Sequence, residues 1–265
     1  MTSPSLSIVM PAYNAAPHIA AAIGSVQAQT FGDFELIVVD DCSTDATASV
    51  VQDIAAVDPR VRCVRLPANM GAPAGPRNEG VRQARAPWVA FIDADDLWHP
   101  GKLAAQWQVI EDTGAQFCST RMVNFSSPAL PAFPTTPAPG VEWVTFFDQL
   151  VKYRTPMSSV MVRKTLLETF PFNESPAYKA REDLDCWLHI HEVIGRSVKL
   201  KAVLVGYRID PGQISGRKWV MVQRHFHVLR RYVFRSGRRL GWGAVPFTVT
   251  HFVMSPFYRL FRKGL

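Results

Sequence analysis

Apolar and polar positions alternate in blocks along the first hundred residues, and each block reads as one element. Leu6-Ser-Ile-Val-Met10 is an apolar run closed by Pro11 and predicts a buried strand. Between residues 17 and 30, Ile19, Ile23 and Val26 fall four and three apart, the period of one helix face. Residues 34–39 (Phe-Glu-Leu-Ile-Val-Val) predict a second strand ending in Asp40-Asp41, and Ser43-Thr-Asp45 has the chemistry of a cap for a helix reaching about residue 56. A third strand follows over 62–66, a Gly/Pro loop over 69–76 and a helix over 77–86. A fourth strand over 88–92 ends in Asp93-Ala-Asp95-Asp96. This alternation predicts an α/β fold with right-handed crossovers and a Rossmann-like, mostly parallel sheet between flanking helices. Ligands of such sheets bind beyond the carboxyl ends of the strands. Three predicted strands end in polar clusters there: Pro11-Ala-Tyr13-Asn14, Asp40-Asp41 and the Asp93–Asp96 group.

The second half is less regular. Residues 126–140 are proline-rich and predict a loop or lid, 141–151 and 180–195 predict helices, and 199–207 a strand. From Trp219, the residues Val222, Phe226, Leu229 and Val233 keep helical spacing, while Arg224, Arg231 and Arg235 take another side. An apolar stretch over 244–258 contains Pro246 and Pro256 and is too short to span a bilayer.

Composition and charge sharpen this picture. At 265 residues, with 48% hydrophobic and 19% charged, the chain suits one sizeable α/β domain plus an appendage. Cys42, Cys63, Cys118 and Cys186 include no CxxC pair, which disfavours a disulfide framework or zinc site, and no signal peptide is evident; both point to the cytoplasm. The net charge of +7 is unevenly spread: residues 196–265 hold 15 Lys/Arg and one acid, Asp210. Such a tail suits a polyanionic surface, either membrane headgroups or nucleic acid; the plainer alternative is a solvated basic face. Arginine interleaved with Trp and Phe at helical spacing suits an interfacial helix on an anionic membrane, or else a stripe packed on the body.

Asp93-Ala-Asp95-Asp96 places three carboxylates within four residues, and their repulsion calls for a cation. A hard divalent ion held by one or two of them, with substrate phosphates completing its shell, suits diphosphate chemistry; the other reading is that these acids cap the helix starting near Pro100. An EF-hand would need Gly and Glu where Trp98 and Ala104 stand. A dehalogenase-type phosphatase carries its Asp-x-Asp on the first strand rather than the fourth. Asp40-Asp41 can accept hydrogen bonds from a nucleobase or ribose, yet neither Gly-x-Gly-x-x-Gly nor a P-loop is present.

Four blocks carry a resemblance. Ser7-Ile-Val-Met-Pro-Ala-Tyr-Asn14, continued by Gln29-Thr-Phe-Gly-Asp-Phe-Glu-Leu-Ile-Val-Val-Asp-Asp-Cys-Ser-Thr-Asp45, resembles the opening of family 2 glycosyltransferases. Asn69-Met-Gly71 with Pro76-Arg-Asn-Glu-Gly80, Phe91-Ile-Asp-Ala-Asp-Asp-Leu-Trp98 and Glu182-Asp-Leu-Asp-Cys-Trp-Leu188 resemble the later blocks, in the family's order. The resemblance implies a glycosyltransferase A-type fold and inverting transfer from a UDP-sugar or similar nucleotide-sugar donor. It implies that Pro11, Ala12 and Tyr13 line the nucleoside and that Asp41 binds the base. Arg77 would lie near the nucleotide and Asp93 near the donor ribose or sugar. Asp95 would ligate a divalent metal (Mn2+ or Mg2+), and Asp183 would be the general base, with Glu182 beside the acceptor. Cys42 departs from the Gly or Asn usual in the family, and the Gln-x-x-Arg-Trp motif of processive synthases is missing, which favours single addition.

The stretch Tyr207-Arg-Ile-Asp-Pro-Gly-Gln-Ile-Ser215 resembles bacterial exopolysaccharide and teichuronic-acid transferases, whose implied acceptor is a lipid-linked saccharide or oligosaccharide at the inner membrane face. The expected organisation is a catalytic domain over 1–215, with a donor half to about 125 and an acceptor half over 126–215, followed by a basic, aromatic-rich helical extension over 216–265. A sugar nucleotidyltransferase is the rival enzyme, but Pro11–Pro17 lacks the Gly and Lys/Arg of its phosphate loop. A nucleic-acid-binding protein is the rival from another class; no nucleic-acid motif occurs and the front half is acidic, so no nucleic-acid partner is expected. The oligomeric state is left open.

Overall fold

The computed structural model describes residues 3–134, 138, 140–152, 155–210 and 218–261. The expected boundary at 215/216, and most of the Tyr207–Ser215 stretch, therefore lie outside the described residues. The first half follows the hydrophobic pattern: β1 (Leu6–Ala12), α1 (Ile19–Gln27), β2 (Phe34–Asp40), α2 (Thr47–Val57), β3 (Val61–Arg65), α3 (Ala74–Gln83) and β4 (Trp88–Phe91). β1 pairs in parallel with β2 and β4, and β2 with β3. Alternate residues bury opposite faces. Leu6, Ile8 and Met10 face one core with Leu36 and Val38, while Val9 faces the other with Ile37 and Val39. Both faces are covered, which is why these strands read as nearly continuous apolar runs.

β1 continues through Pro11, where a stop is predicted. Val9 accepts a hydrogen bond from the Ile92 N–H on the β4 side at 3.2 Å, and Pro11, two residues on, turns the same edge outward. Register with β4 ends at Val9–Phe91, so the missing proline N–H costs no ladder bond.

Beyond β4 come β5 (Leu97–Trp98), α4 (Lys102–Thr113), β6 (Phe117–Phe125), β7 (Val141–Thr145), α5 (Phe146–Val151), β8 (Met161–Arg163), α6 (Lys164–Thr169), α7 (Glu182–Ile194) and β9 (Arg196–Arg208). The sheet runs β3-β2-β1-β4-β8-β6-β9-β5, with β7 on β9. β8 pairs antiparallel with both β4 and β6, so the parallel order of the first half becomes a mixed sheet in the second. Residues 141–151, predicted as one helix, divide at Thr145 into β7 and α5. The Thr145 hydroxyl accepts from the Asp148 N–H (3.2 Å) while the Asp148 carboxylate accepts from the Thr145 N–H (2.9 Å), a capping box that starts a helix there. In the proline-rich segment, Pro131 packs so closely on Gly206 that a Cβ there would lie 2.6 Å from its ring.

The basic extension forms α8 (Lys218–Arg231) and α9 (Ala244–Phe261), joined by a turn in which Val233 bridges to Arg239. Pro246 falls in the first turn of α9, where helical N–H groups lack partners anyway. A third core gathers Leu150 of α5, Leu184 and Leu188 of α7, Val228, Leu229 and Tyr232 from α8 and its end, and Ala244 of α9. The inner faces of α8 and α9 thus complete the packing of α7. Among the described residues no helix is long and apolar enough to cross a membrane.

Candidate active site

The carboxyl ends of β1 and β2 are tied together by short polar contacts. Asp41 donates its N–H to the Ala12 carbonyl (2.8 Å), and the Asn14 and Ala15 N–H groups donate to the hydroxyls of Ser43 (2.9 Å) and Thr47 (2.8 Å). Asn14 and Cys42 hold positive φ, 48° and 58°. This left-handed conformation is the one that favours Gly or Asn, the residues the resemblance leads one to expect where Cys42 stands. The Asp41 carboxylate accepts from the Met70 N–H (2.8 Å) and from Asn69 Nδ2 (3.0 Å), which fixes the loop before α3. Burial pushes its pKa up and the neighbouring Asp40 adds to this, against the Met70 N–H. Pro11 and Ala12 are buried within the strand, whereas Tyr13 is 51% exposed and presents an open ring at the strand end.

The Asp93–Asp96 turn follows β4. The Asp93 N–H donates to the Ser158 hydroxyl (3.0 Å), and the Ser158 carbonyl accepts from Trp98 Nε1 (2.8 Å), so the turn is held from below. From β9, the Arg208 N–H donates to Asp96 Oδ1 (3.0 Å) and Arg208 Nε to the Asp95 carbonyl (2.8 Å). Asp96 is fully buried, and its Oδ2 has no hydrogen-bond partner. Burial, then the Asp93 and Asp95 charges, raise its pKa well above the carboxylate range. Asp95 itself is half-buried.

Arg77 joins these elements to the acceptor half. The residue is 4% exposed, and its guanidinium donates to Asp93 Oδ1 (2.8 Å) and to Glu182 Oε1 (2.7 Å). Burial works against its charge, but Asp93 and Glu182 outweigh burial and hold Arg77 firmly protonated. Glu182 opens α7; burial raises its pKa, Arg77 opposes that, and Asp183 adds to it. Asp183 is half-buried in the first turn of α7, where the helix dipole favours a carboxylate, and its Oδ1 accepts from the Leu184 N–H (2.7 Å). Ala180, just upstream, sits at φ 63°, a strained entry into the helix. α3, which carries Arg77, lies so close to β1 that a Cβ on Gly80 would fall 2.3 Å from Val9 Cγ1.

Asp93, Arg77 and Glu182 are therefore one chain of ion pairs, and it unites a strand end, a helix and a second helix N-terminus. The model of the family described as "Glycosyl transferase family 2" matches residues 7–165, well over half of the chain. The chain belongs to glycosyl transferase family 2. TuaG of Bacillus subtilis (strain 168), a glycosyltransferase named for teichuronic acid biosynthesis, is 30% identical over 227 residues, 86% of this chain and 88% of the relative. The Escherichia coli enzyme named UDP-Glc:alpha-D-GlcNAc-diphosphoundecaprenol beta-1,3-glucosyltransferase WfgD is 29% identical over 229 residues, 86% of each chain. Among solved structures, Staphylococcus aureus TarS 1–349 in complex with UDP-GlcNAc superposes with a TM-score of 0.66 at 22% identity, over 85% of this chain and 64% of that one. That likeness shows the fold shared by family 2 glycosyltransferases of the A type.

Within family 2, the blocks legible in the sequence are the ones the structure draws together, except that Arg77 spends its guanidinium on two carboxylates. Ser158 lies outside every block read in the sequence, and Arg208, though within the Tyr207–Ser215 stretch, is not singled out there as a site residue; only the packing of the turn before β8 and of β9 against the Asp93–Asp96 turn reveals them. Among the described residues no group of three or more His, Cys, Asp or Glu forms a ready-made metal cage. A hard divalent ion on a diphosphate needs only one or two carboxylates, the rest of its shell coming from phosphate and water. Asp95, with the unpartnered Asp96 Oδ2 beside it in sequence, is an oxygen-donor set of that kind, so the residues present fit such an ion.

Proposed function

We propose that this family 2 glycosyltransferase moves a sugar from a UDP-sugar onto a hydroxyl of a lipid-linked saccharide, with inversion, during assembly of a bacterial cell-surface polysaccharide. The observation that carries the reading is the Asp93–Arg77–Glu182 chain of ion pairs, which sets the donor-side acids against the Glu182-Asp183 pair. Asp183 is the general base: it takes the proton from the acceptor hydroxyl as that oxygen attacks the anomeric carbon from the face opposite the leaving diphosphate. Arg77 holds Glu182 and Asp93 in place, keeping Asp183 and the donor sugar aligned. Tyr13 offers its exposed ring to the nucleobase, while Asp41, Pro11 and Ala12 shape the nucleoside end of the cleft. Asp95, with Asp96, would hold a divalent ion (Mg2+ or Mn2+), which supplies charge neutralisation for the diphosphate when bound. The name of the Escherichia coli relative supports the donor and acceptor classes, and that of the Bacillus relative supports assembly of a cell-surface polysaccharide.

The protein works at the cytoplasmic membrane surface without spanning it. Val245, Val249 and Phe252 lie on the outer side of α9, all exposed, and Trp219 stacks on Phe252 with centroids 5.9 Å apart. Trp242 is 69% exposed beneath Arg230, and residues 211–265 contain no acid. An apolar stripe rimmed by arginine suits an anionic leaflet.

The decisive experiment is Asp183→Asn, which keeps the shape and removes the base. Turnover should fall about 10²-fold or more while donor affinity, read by UDP-sugar titration, stays near wild type. A matching loss of donor binding would remove Asp183 from the role of base.

A further inference from the structure

The chain between α8 and α9 closes into a tight, hydrogen-bonded turn. Val233 bridges to Arg239, the Phe234 N–H donates to the Arg238 carbonyl (2.8 Å), and the Leu240 N–H donates to the Tyr232 carbonyl (3.0 Å). The Gly237 N–H donates to the Phe234 carbonyl (2.8 Å), and Gly237 takes the left-handed φ of 80° that such a turn needs. Phe234 anchors the turn on the body, its ring 5.7 Å from Phe146 of α5 and 5.2 Å from Tyr232. Glu192 of α7 fixes it as well: its two carboxylate oxygens accept from the Tyr232 hydroxyl (2.7 Å) and the Arg235 N–H (2.7 Å).

This anchored turn carries a pocket of about 340 Å³, lined by Phe234, Ser236, Arg238, Arg239 and Leu240. That volume is at the small end of ligand sites and has room for one headgroup. Ser236, Arg238 and Arg239 are exposed, while Phe234 and Leu240 are half-buried. Among the described residues neither Arg238 nor Arg239 forms an ion pair, and Glu192, the acid bonded to the turn, has both oxygens engaged. Two arginine forks and a hydroxyl, with no carboxylate in the lining, match the oxygens of a phosphate. An apolar strip starts beside them: Trp242, Val245, Val249 and Phe252 follow at three- and four-residue spacing, all exposed, with Arg230 4.5 Å over the Trp242 ring. A nucleic acid offers nothing to such a strip, whereas a leaflet takes rings and aliphatic chains just below its phosphates.

We propose that the α8–α9 turn is a binding site for the phosphate headgroup of an anionic lipid, held by Arg238, Arg239 and the Ser236 hydroxyl. The assignment rests on the membrane reading above and deepens it. The apolar strip inserts among the acyl chains, and the turn at its end recognises one headgroup. Because Glu192 ties the turn to α7, the bound headgroup also orients that helix. Asp183 lies nine residues before Glu192 on α7, about 14 Å along its axis. One rigid helix thus sets the distance between the leaflet and the general base.

The test uses the full-length protein in flotation with phosphatidylcholine vesicles, with and without phosphatidylglycerol, at physiological salt. Each arginine near an anionic leaflet is worth about fivefold in partitioning, so Arg238→Gln combined with Arg239→Gln should lower binding on the order of 25-fold. Arg238→Lys combined with Arg239→Lys keeps both charges but removes the planar forks, and should still lose about fivefold. Both side chains are exposed, so the melting temperature and transfer to a soluble acceptor should stay at wild-type values. Lysine variants that bind like wild type would reduce the turn to diffuse charge, overturning the site while leaving the membrane reading intact. Inorganic phosphate that perturbs Trp242 fluorescence where phosphatidylglycerol vesicles do not would make this a soluble-anion pocket and overturn the lipid site. Duplex DNA bound more tightly than the vesicles at equal salt would overturn it too. A wild type that ignores phosphatidylglycerol vesicles removes the membrane reading and the site together.

Discussion

Arg77→Met tests the ion-pair chain most directly. The substitution keeps most of the aliphatic stem and removes a charge whose side chain is 5% exposed, leaving Glu182 (3%) without its cation and Asp93 (31%) with water as its remedy. Glu182 Oε2 already lacks a hydrogen-bond partner, so the loss of Arg77 leaves the whole carboxylate buried and unanswered. Removing one member of a buried pair costs about 3–5 kcal/mol; the Asp93 share is the smaller because solvent screens it. For a chain of this size the melting temperature should drop on the order of 10 °C. Burial already raises the Glu182 pKa, and the variant raises it further. The folded variant then binds more protons than the unfolded chain above the ordinary value of 4.5, so its stability falls as pH rises toward 8. Adding Glu182→Gln removes the stranded charge and should recover about 2 kcal/mol or more. Urea melts of the two single variants and the double variant, at pH 5.5 and 8, read all of this. Additive costs, or a cost under about 1 kcal/mol for Arg77→Met, would refute the view that Arg77 neutralises Glu182.

Three further outcomes are expected. Gly80→Ala forces a methyl to within 2.3 Å of Val9 Cγ1 and should cost about 1–3 kcal/mol in denaturant melts, with a loss of turnover as α3 shifts Arg77. Lys102 is fully buried over the Trp98 ring, and burial lowers its pKa from 10.5 to about 7. The unfolded chain holds that proton to higher pH, so the group makes stability rise between pH 7 and 10, and Lys102→Met should stabilise the protein at pH 7 and flatten that rise in thermal melts. Replacing Trp242 and Phe252 with Ser should release the protein from anionic vesicles in flotation assays, because both rings are exposed, while leaving the melting temperature nearly unchanged. Undiminished flotation would move the membrane contact elsewhere. Point changes are needed because Val228, Leu229 and Tyr232 close the core over α7, so deleting the extension would strip that helix.

The sequence alone determined what depends on neighbours along the chain. Largely apolar runs of five or six residues, broken only by Ser7 and Glu35, gave β1, β2 and β4, because strands buried on both faces need no polar alternation. Polar clusters at their carboxyl ends, acidic after β2 and β4, marked the ligand edge, and the spacing of Trp219, Val222, Phe226 and Leu229 drew α8. Elsewhere local pattern was too weak to decide. Met161–Arg163 is a strand only because two neighbours pair with it, and 141–151 divides into β7 and α5 because β9 offers an edge to its first half. Sequence spacing also says nothing about which distant charges meet. Arg77 lies 105 positions from Glu182, and the stacked rings of His225 and His251 belong to different helices. Hydrophobic period is read residue by residue along one element, but the pairing of buried charges is settled by which elements pack together. That choice belongs to the global minimum of burial and chain connectivity, which exists only once the sheet and its helices have closed on one another.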